Sequence, residues 1–514
     1  MRRLGLILLT GYVNAAMAAD WLQFGYDEAH SGYNSEEGPA VAGANAAQWH
    51  VSVHAFGSGT ALTSDSTPVY LSNVTTASGT KNLLFLVTLN GTLIAFAAND
   101  GSVVWSHSCI PPAPPDFNFC TQITTGAPAI DPNRLYIYAY GLDGYVRKYQ
   151  VGDGTEITGG GWPQLSTLKP DVEKGASALA IASPPGGTNY LYHVTNGYVG
   201  DAGDYQGHIT SINLSTGAQK IFNTQCSNLF VHFVENGTAD SDDCVLNSGR
   251  DGQMSGIWGR PGTIYDAATN RIYFATGNAL FDANISGHYN WGDSVLALHP
   301  DGSGAGLGQP LDSYTPSTYA SLYGSDIDLG STAPAILPST SATYPHLAIQ
   351  SGKDSCVRLI NLDDMSGAGG PGHIGGELNA ATSCSTDGVG GGVVFTQPAV
   401  WVNPADGSTW AFVANSGHMV AYRLNVSGTP TLSKPWQTTN GGTSPVIANG
   451  VLYYAASNIV RALDPTTGAL LWSVSIGAIK WQSPIVVDGR LYITDNSAQL
   501  WSFPLDIIFR NGFQ

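Results

Sequence analysis

The arrangement of apolar and polar positions is clearest near the C-terminus of the chain. The apolar run Val446-Ile447-Ala448 is followed by Val451-Leu452-Tyr453-Tyr454-Ala455, then by Ile459-Val460-Arg461-Ala462-Leu463, then by Leu470-Leu471-Trp472. Asn449-Gly450 and Thr467-Gly468 stand between neighbouring runs, and dipeptides of this kind close tight turns between strands. Four short strands within roughly 35 residues predict one antiparallel four-stranded sheet, close to the repeat length of a propeller blade.

The first strand of this unit recurs along the chain. It reads Thr67-Pro68-Val69, Ala127-Pro128-Ala129-Ile130, Ser177-Ala178-Leu179-Ala180, Pro261-Gly262-Thr263-Ile264, Ala333-Pro334-Ala335-Ile336, Gln397-Pro398-Ala399-Val400, Ser444-Pro445-Val446 and Ser483-Pro484-Ile485. The third strand recurs in step, for example as Leu93-Ile94-Ala95-Phe96 and Val295-Leu296-Ala297-Leu298. A sheet of this length buries its faces only by stacking on copies of itself, and four-stranded sheets stacked about an axis form a propeller. The prediction is an all-β, eight-bladed β-propeller of four-stranded antiparallel blades over residues 46–505. The segment Ala47-Gln48-Trp49-His50-Val51-Ser52-Val53 resembles an outer strand and is expected to complete the eighth blade, closing the ring. The copies are spaced most widely around blades three to five, where long loops are expected to carry function.

Composition narrows the reading. Glycine accounts for 63 of 514 residues and charged residues for only 11%, which disfavours coiled coils and helical bundles. Acidic residues outnumber basic ones 38 to 20, a net charge of -18 that repels phosphate backbones, so nucleic acid is not an expected partner. Arg2 and Arg3, the apolar run over 4–13 and Ala16-Met17-Ala18 predict a signal peptide over residues 1–18 and a periplasmic or secreted protein. An N-terminal extension over 19–45 and a C-terminal tail over 506–514 complete the division. No other stretch is apolar enough to predict a transmembrane segment. In an exported chain Cys109, Cys120, Cys226, Cys244, Cys356 and Cys384 suggest disulfides, and their order favours 109–120, 226–244 and 356–384 among fifteen pairings. Six Asn-x-Ser/Thr sequons occur, at Asn73, Asn90, Asn213, Asn236, Asn284 and Asn425. No Gly-x-Ser-x-Gly elbow, Walker loop or His-Glu-x-x-His motif supports a hydrolase or ATPase.

The pattern Gly-x-Leu-Tyr, Ala-Leu-Asp-x-x-Thr-Gly-x-x-x-Trp, carried by residues 460–472 and more loosely by 93–105, resembles the repeat of pyrroloquinoline quinone (PQQ) propellers. That resemblance covers roughly residues 45 to 505 and implies an eight-bladed ring. The superfamily holds quinoprotein alcohol dehydrogenases as well as non-catalytic propellers, so it implies much less about activity. In the enzymes PQQ binds on the axis with Ca²⁺ or a lanthanide. On this resemblance Asn278, in Ala275-Thr276-Gly277-Asn278, is a candidate metal ligand, and Asp326-Ile327-Asp328 is similar to an element whose first acid is the catalytic base and whose second binds metal. Asp201 or Asp204 stands where a glutamate ligand is expected. Lys353, in Gln350-Ser351-Gly352-Lys353-Asp354, occupies the slot of a cation that contacts the quinone oxygens. Trp258 lies near the place of the tryptophan under the cofactor, where Arg260 stands instead. Arg260, Trp481 and Gln397 precede or begin inner strands and are further candidate cofactor contacts.

These residue types suit one chemistry. A quinone that accepts hydride gathers negative charge on an oxygen, which a lysine and a hard cation would stabilise, while an aspartate takes the alcohol proton. The sequence also departs from the enzymes: no two cysteines are adjacent, and the expected glutamate is absent. Two function classes therefore stand side by side. One is an exported quinoprotein-type oxidoreductase acting on small-molecule alcohols. The other is a cofactor-free propeller, expected to be monomeric, that binds a glycan or a protein partner through the loops of blades three to five. The acidic loop Asp240-Ser241-Asp242-Asp243 is a further calcium candidate, although a solvated loop is the commoner outcome.

Overall fold

The computed structural model describes residues 20–37, 40–41, 47–108, 122–198, 201, 203–235, 254–283, 288–379, 388–448 and 450–507. Eight antiparallel sheets form the ring, as the repeats predict. Their inner strands are Val69–Thr76, Ala129–Ile130, Ala180–Ala182, Ile264–Asp266, Ala335–Pro338, Ala399–Val402, Val446–Ala448 and Ile485–Val487. Blade three therefore enters its sheet slightly later than the Ser177-Ala178-Leu179-Ala180 pattern suggests. Blade five has three strands among the described residues, and the other seven blades have four or more.

The ring closes as expected. Trp49–Ser52 adds to the outer edge of Gln499–Pro504, with Trp49 opposite Ser502 and Ser52 opposite Gln499. Cohesion comes from apolar faces packed between neighbouring blades. Leu347, Ile349 and Leu359 of blade five, for instance, share one buried cluster with Val400, Val413 and Tyr422 of blade six. Each blade thus depends on its neighbours for burial, as a ring of short sheets requires.

Residues 21–34 do something the sequence does not announce. Inner strands converge on the axis with their innermost backbone groups unpaired, and buried groups of that kind must find partners. This segment winds around the axis and supplies them blade by blade, in chain order. Tyr70 and Trp21 exchange N–H and C=O at 2.8 and 2.9 Å, and the Ile130 N–H donates to the Leu22 carbonyl at 2.8 Å. The Ile181 N–H donates to the Gln23 side-chain oxygen at 2.8 Å. Tyr265 donates to the Glu28 carbonyl, Val400 to that of Ser31 and Ile447 to that of Gly32, at 2.9, 2.8 and 2.7 Å. Asn34 Nδ2 donates to the Val486 carbonyl at 2.9 Å. Seven of eight blades are hooked by fourteen residues. Trp21 and Phe24 are buried in the process, and His30 is buried with its Nδ1 against the Phe24 carbonyl.

The signal-peptide residues, the acidic loop over 240–243, and Cys109, Cys120, Cys244 and Cys384 lie outside the described residues. Cys226 and Cys356 are both buried and disulfide-bonded. No helix among the described residues is long and apolar enough to cross a membrane.

Two outcomes follow for the axial strap. Trp21→Ala removes a fully buried indole and is expected to cost about 3–5 kcal/mol in chemical denaturation. Burial lowers the His30 imidazole to about 4. Between pH 6.5 and 4 the unfolded chain therefore binds a proton that the folded chain does not, and stability falls as pH falls through that window. His30→Gln should flatten the acid limb of a stability-versus-pH curve by about 3 kcal/mol.

Candidate functional site

The connector between blades four and five carries the densest set of predicted residues. A two-stranded hairpin, Phe281–Ala283 with Tyr289–Trp291, projects from blade four. Its Phe281 packs edge-on against Tyr319 at 5.3 Å, which seats the short helix Tyr319–Gly324. The chain leaves that helix with the Ile327 N–H bonded to the Leu322 carbonyl at 3.0 Å. Asp326, at φ +52°, is thereby turned outward, and its side chain is 65% exposed. Asp328, two residues on, is turned inward.

Asp328 is the hub. Its Oδ1 accepts the backbone N–H of Asn278 at 2.6 Å, and its Oδ2 pairs with Lys353 Nζ. Lys353 Nζ also donates to Asp326 Oδ1 at 3.0 Å, and the Lys353 N–H donates to the Asp328 carbonyl at 2.9 Å. Burial raises the Asp328 carboxyl above its ordinary range, and Lys353 opposes that shift. Burial alone would lower the Lys353 ammonium, but the carboxylates of Asp328 and Asp326 outweigh it and hold the pKa above the usual lysine value. The ammonium lies 5.4 Å from the centroid of the Trp258 ring. Trp258 in turn meets Phe395 at 5.6 Å, and Phe395 meets Trp481 at 5.4 Å. An acid–lysine–acid relay therefore borders an aromatic wall.

The remaining candidates divide. Asp201 accepts a hydrogen bond from the Tyr205 hydroxyl at 2.8 Å, and Tyr205 lies within electrostatic reach of Asp328 and Asp326. Asp204 faces another way, with Oδ2 3.8 Å from the buried Lys169. Gln397 is buried, donates to the Pro334 carbonyl at 3.2 Å and accepts the Ala333 N–H at 3.3 Å, so its amide ties blades together. Arg260 is also buried, donating to the carbonyls of Asp65 and Thr125 at 2.9 and 3.3 Å.

Sequence reading missed Phe395 and Asp293. Asp293 accepts the Leu329 N–H at 2.9 Å and so fixes the turn that follows Asp328. Burial raises its pKa well above the ordinary carboxylate value, and its second oxygen has no hydrogen-bond partner. The dipeptide Gly292-Asp293 was its only signal in the sequence, and the structure holds Asp293 at φ +46°.

The donor set suits an aromatic ligand better than a hard cation. Calcium takes six to eight oxygen ligands. Here both oxygens of Asp328 are engaged, Asp201 and Asp204 are directed to Tyr205 and Lys169, and no group of three metal-ligating side chains occurs among the described residues. A flat quinone fits the other features: the Trp258–Phe395–Trp481 wall, a lysine beside it and an exposed carboxylate at its edge. The relay is also structural. Lys353→Met is expected to destabilise the fold by about 3 kcal/mol, because it strands the Asp328 charge, and Asp328→Asn in the same chain should recover most of that loss in chemical denaturation.

Residues 389–506 match the family model described as outer membrane protein assembly factor BamB. No curated protein matches the chain. Among solved structures, quinohemoprotein alcohol dehydrogenase ADHIIG from Pseudomonas putida HK5 is 13% identical, with 96% of this chain and 81% of that chain covered at a TM-score of 0.62. A europium-containing methanol dehydrogenase is 14% identical, with 92% and 89% covered and a TM-score of 0.62. Quinohemoprotein alcohol dehydrogenase from Comamonas testosteroni is 15% identical, with 96% and 81% covered and a TM-score of 0.59. At these identities the likeness is one of architecture. The chain thus has the eight-bladed fold of the PQQ-type propellers that its repeats resemble.

Proposed function

We propose that this protein is an exported quinoprotein-type oxidoreductase that acts on alcohol groups beside Asp326 and Lys353. The observation that carries the reading is the convergence of Asp326, Lys353, Asp328, Asn278 and Trp258 from blades four and five on one aromatic-walled spot. The proposed boundaries are a signal peptide over 1–18 and a propeller over 46–505, and the proposed location is periplasmic or secreted.

A bound PQQ would supply the two-electron, hydride-accepting centre. The chain's own residues do the rest. Trp258 offers a flat face for the ring. Asp326 is exposed, so an alcohol hydroxyl can reach its carboxylate, which takes the hydroxyl proton as the C–H bond breaks. Lys353, held by Asp328, places a fixed positive charge where an oxygen beside the wall gains negative charge. Asn278 and Asp293 keep Asp328 in position. No step is assigned to a metal.

One observation favours the second reading, a cofactor-free binding propeller. The Lys353 ammonium already neutralises Asp328, so the site is electrostatically closed without any ligand. Titration of the mature protein with PQQ separates the two. The enzyme reading expects a bound-quinone spectrum and a rise in melting temperature that survives EDTA. Asp326→Asn should lower dye-linked alcohol oxidation about 100- to 10,000-fold with little change in melting temperature. Absence of both the spectrum and the melting shift would leave the loops of blades three to five as the functional surface.

A further inference from the structure

Between blades two and three lies a buried set of charged groups that the proposed oxidation does not use. Lys169 follows Gln164–Leu165, the outer strand of blade two, and its side chain is 0% exposed. The chain then turns back: the Val172 and Glu173 N–H groups donate to the Lys169 carbonyl at 3.0 and 2.7 Å, which brings the Glu173 carboxylate to the lysine. Glu173 is buried too, and both of its oxygens are held. Its Oε1 accepts the Gln206 N–H at 3.0 Å, and its Oε2 accepts the Thr167 hydroxyl. Asp204 enters from blade three, ahead of the strand His208–Asn213. Lys169 Nζ donates to the Asp204 backbone carbonyl and lies 3.8 Å from Asp204 Oδ2 and 3.5 Å from Glu173 Oε1. His208 completes the group, with Nδ1 3.9 Å from Glu173 Oε2.

As an ion pair this arrangement is poor. A hydrogen bond between an ammonium and a carboxylate is about 2.7–2.9 Å long, and neither carboxylate comes so close. An ammonium taken out of water is costly unless it is both paired and hydrogen-bonded. The one hydrogen bond that Lys169 Nζ makes among the described residues goes to a carbonyl. What the arrangement does supply is a set of reactants. An amine is held beside a carboxyl group, a second and immobilised carboxylate stands within reach of the amine, and burial keeps water low. Such fixed neighbours react as if at very high concentration, and loss of water is favoured where water is scarce. Condensation would also remove two charges from a buried place.

We propose that Lys169 and Asp204 join in an intramolecular isopeptide bond, with Glu173 as the proton carrier. Glu173 takes a proton from the Lys169 ammonium and passes it to the Asp204 carboxyl. The neutral Nζ adds to Asp204 Cγ, a C–N bond forms, and one carboxyl oxygen leaves as water with the second Nζ proton, delivered again through Glu173. Ammonium plus carboxylate thus become amide plus water, and no oxidant or co-reactant is needed. The bond ties the segment that carries Asp201 and Tyr205 to the end of blade two. The test is peptide mapping of the folded mature protein after denaturation, reduction and alkylation, which removes disulfide links. A chymotryptic digest should yield one branched species joining the peptides of Lys169 and Asp204, one water lighter than their sum. Asp204 is 20% exposed, so Asp204→Ala should keep the fold, as its melt would verify, and yield two separate peptides. Glu173→Gln should lose most of the branched species. Asp204→Asn should give a branched species of the parental mass, because ammonia leaves in place of water. Asp326→Asn should keep the bond, which separates this inference from the enzyme reading. Two linear peptides in the parent, or a water loss confined to one peptide and reversed by hydroxylamine, would overturn the proposal.

Discussion

The structure depends on how eight inner strands end at a common axis. Each brings backbone N–H and C=O groups to a place where no further strand can pair with them, and a buried unpaired group costs about as much as a lost hydrogen bond. The strap over residues 21–34 meets that constraint by visiting blades one to four and six to eight in turn. It also carries the Phe24 ring to within 5.9 Å of the Arg260 guanidinium, a contact that blade stacking alone would not provide.

Burial changes what charge can do, because interactions between buried groups are less screened than those on the surface. Around Lys353 the carboxylates are in excess, with one ammonium between Asp326 and Asp328. Around Asp65 the cations are in excess, with Arg260, Lys480 and Lys174 all acting on one carboxyl. The two groups therefore have opposite net charge, and the Trp258–Phe395–Trp481 rings run from Lys353 to the cavity that Arg260 and Lys480 line.

Much of this was legible in the sequence because repetition is. Eight copies of one entry strand define the ring, and Trp49-His50-Val51-Ser52 betrays the closing strand by resembling an outer one. Asn278, Asp326, Asp328 and Lys353 were named from the resemblance to PQQ propellers, and Asp328 and Lys353 draw them together in space. The strap was not legible, since it acts mainly through backbone carbonyls that any residue provides. Gln397, Arg260 and Asp204 show the complementary limit. Their side-chain types suit ligand binding, but their partners are the Pro334 and Asp65 carbonyls and Lys169, set by neighbours far away in sequence.

The same reasoning explains why Asp293 and Phe395 escaped notice. Neither lies in a recurring motif, and each gains its role from contacts across blade boundaries: Asp293 to Leu329, Phe395 to Trp258 and Trp481. In a propeller the repeat fixes where blades stand, while the residues that adapt the axis to a ligand lie in the connectors between them. Those connectors are free to differ because the strap and the stacked faces already hold the ring. Chemistry on this axis is therefore decided by segments that contribute little to the fold, and the repeat pattern predicts architecture far better than activity.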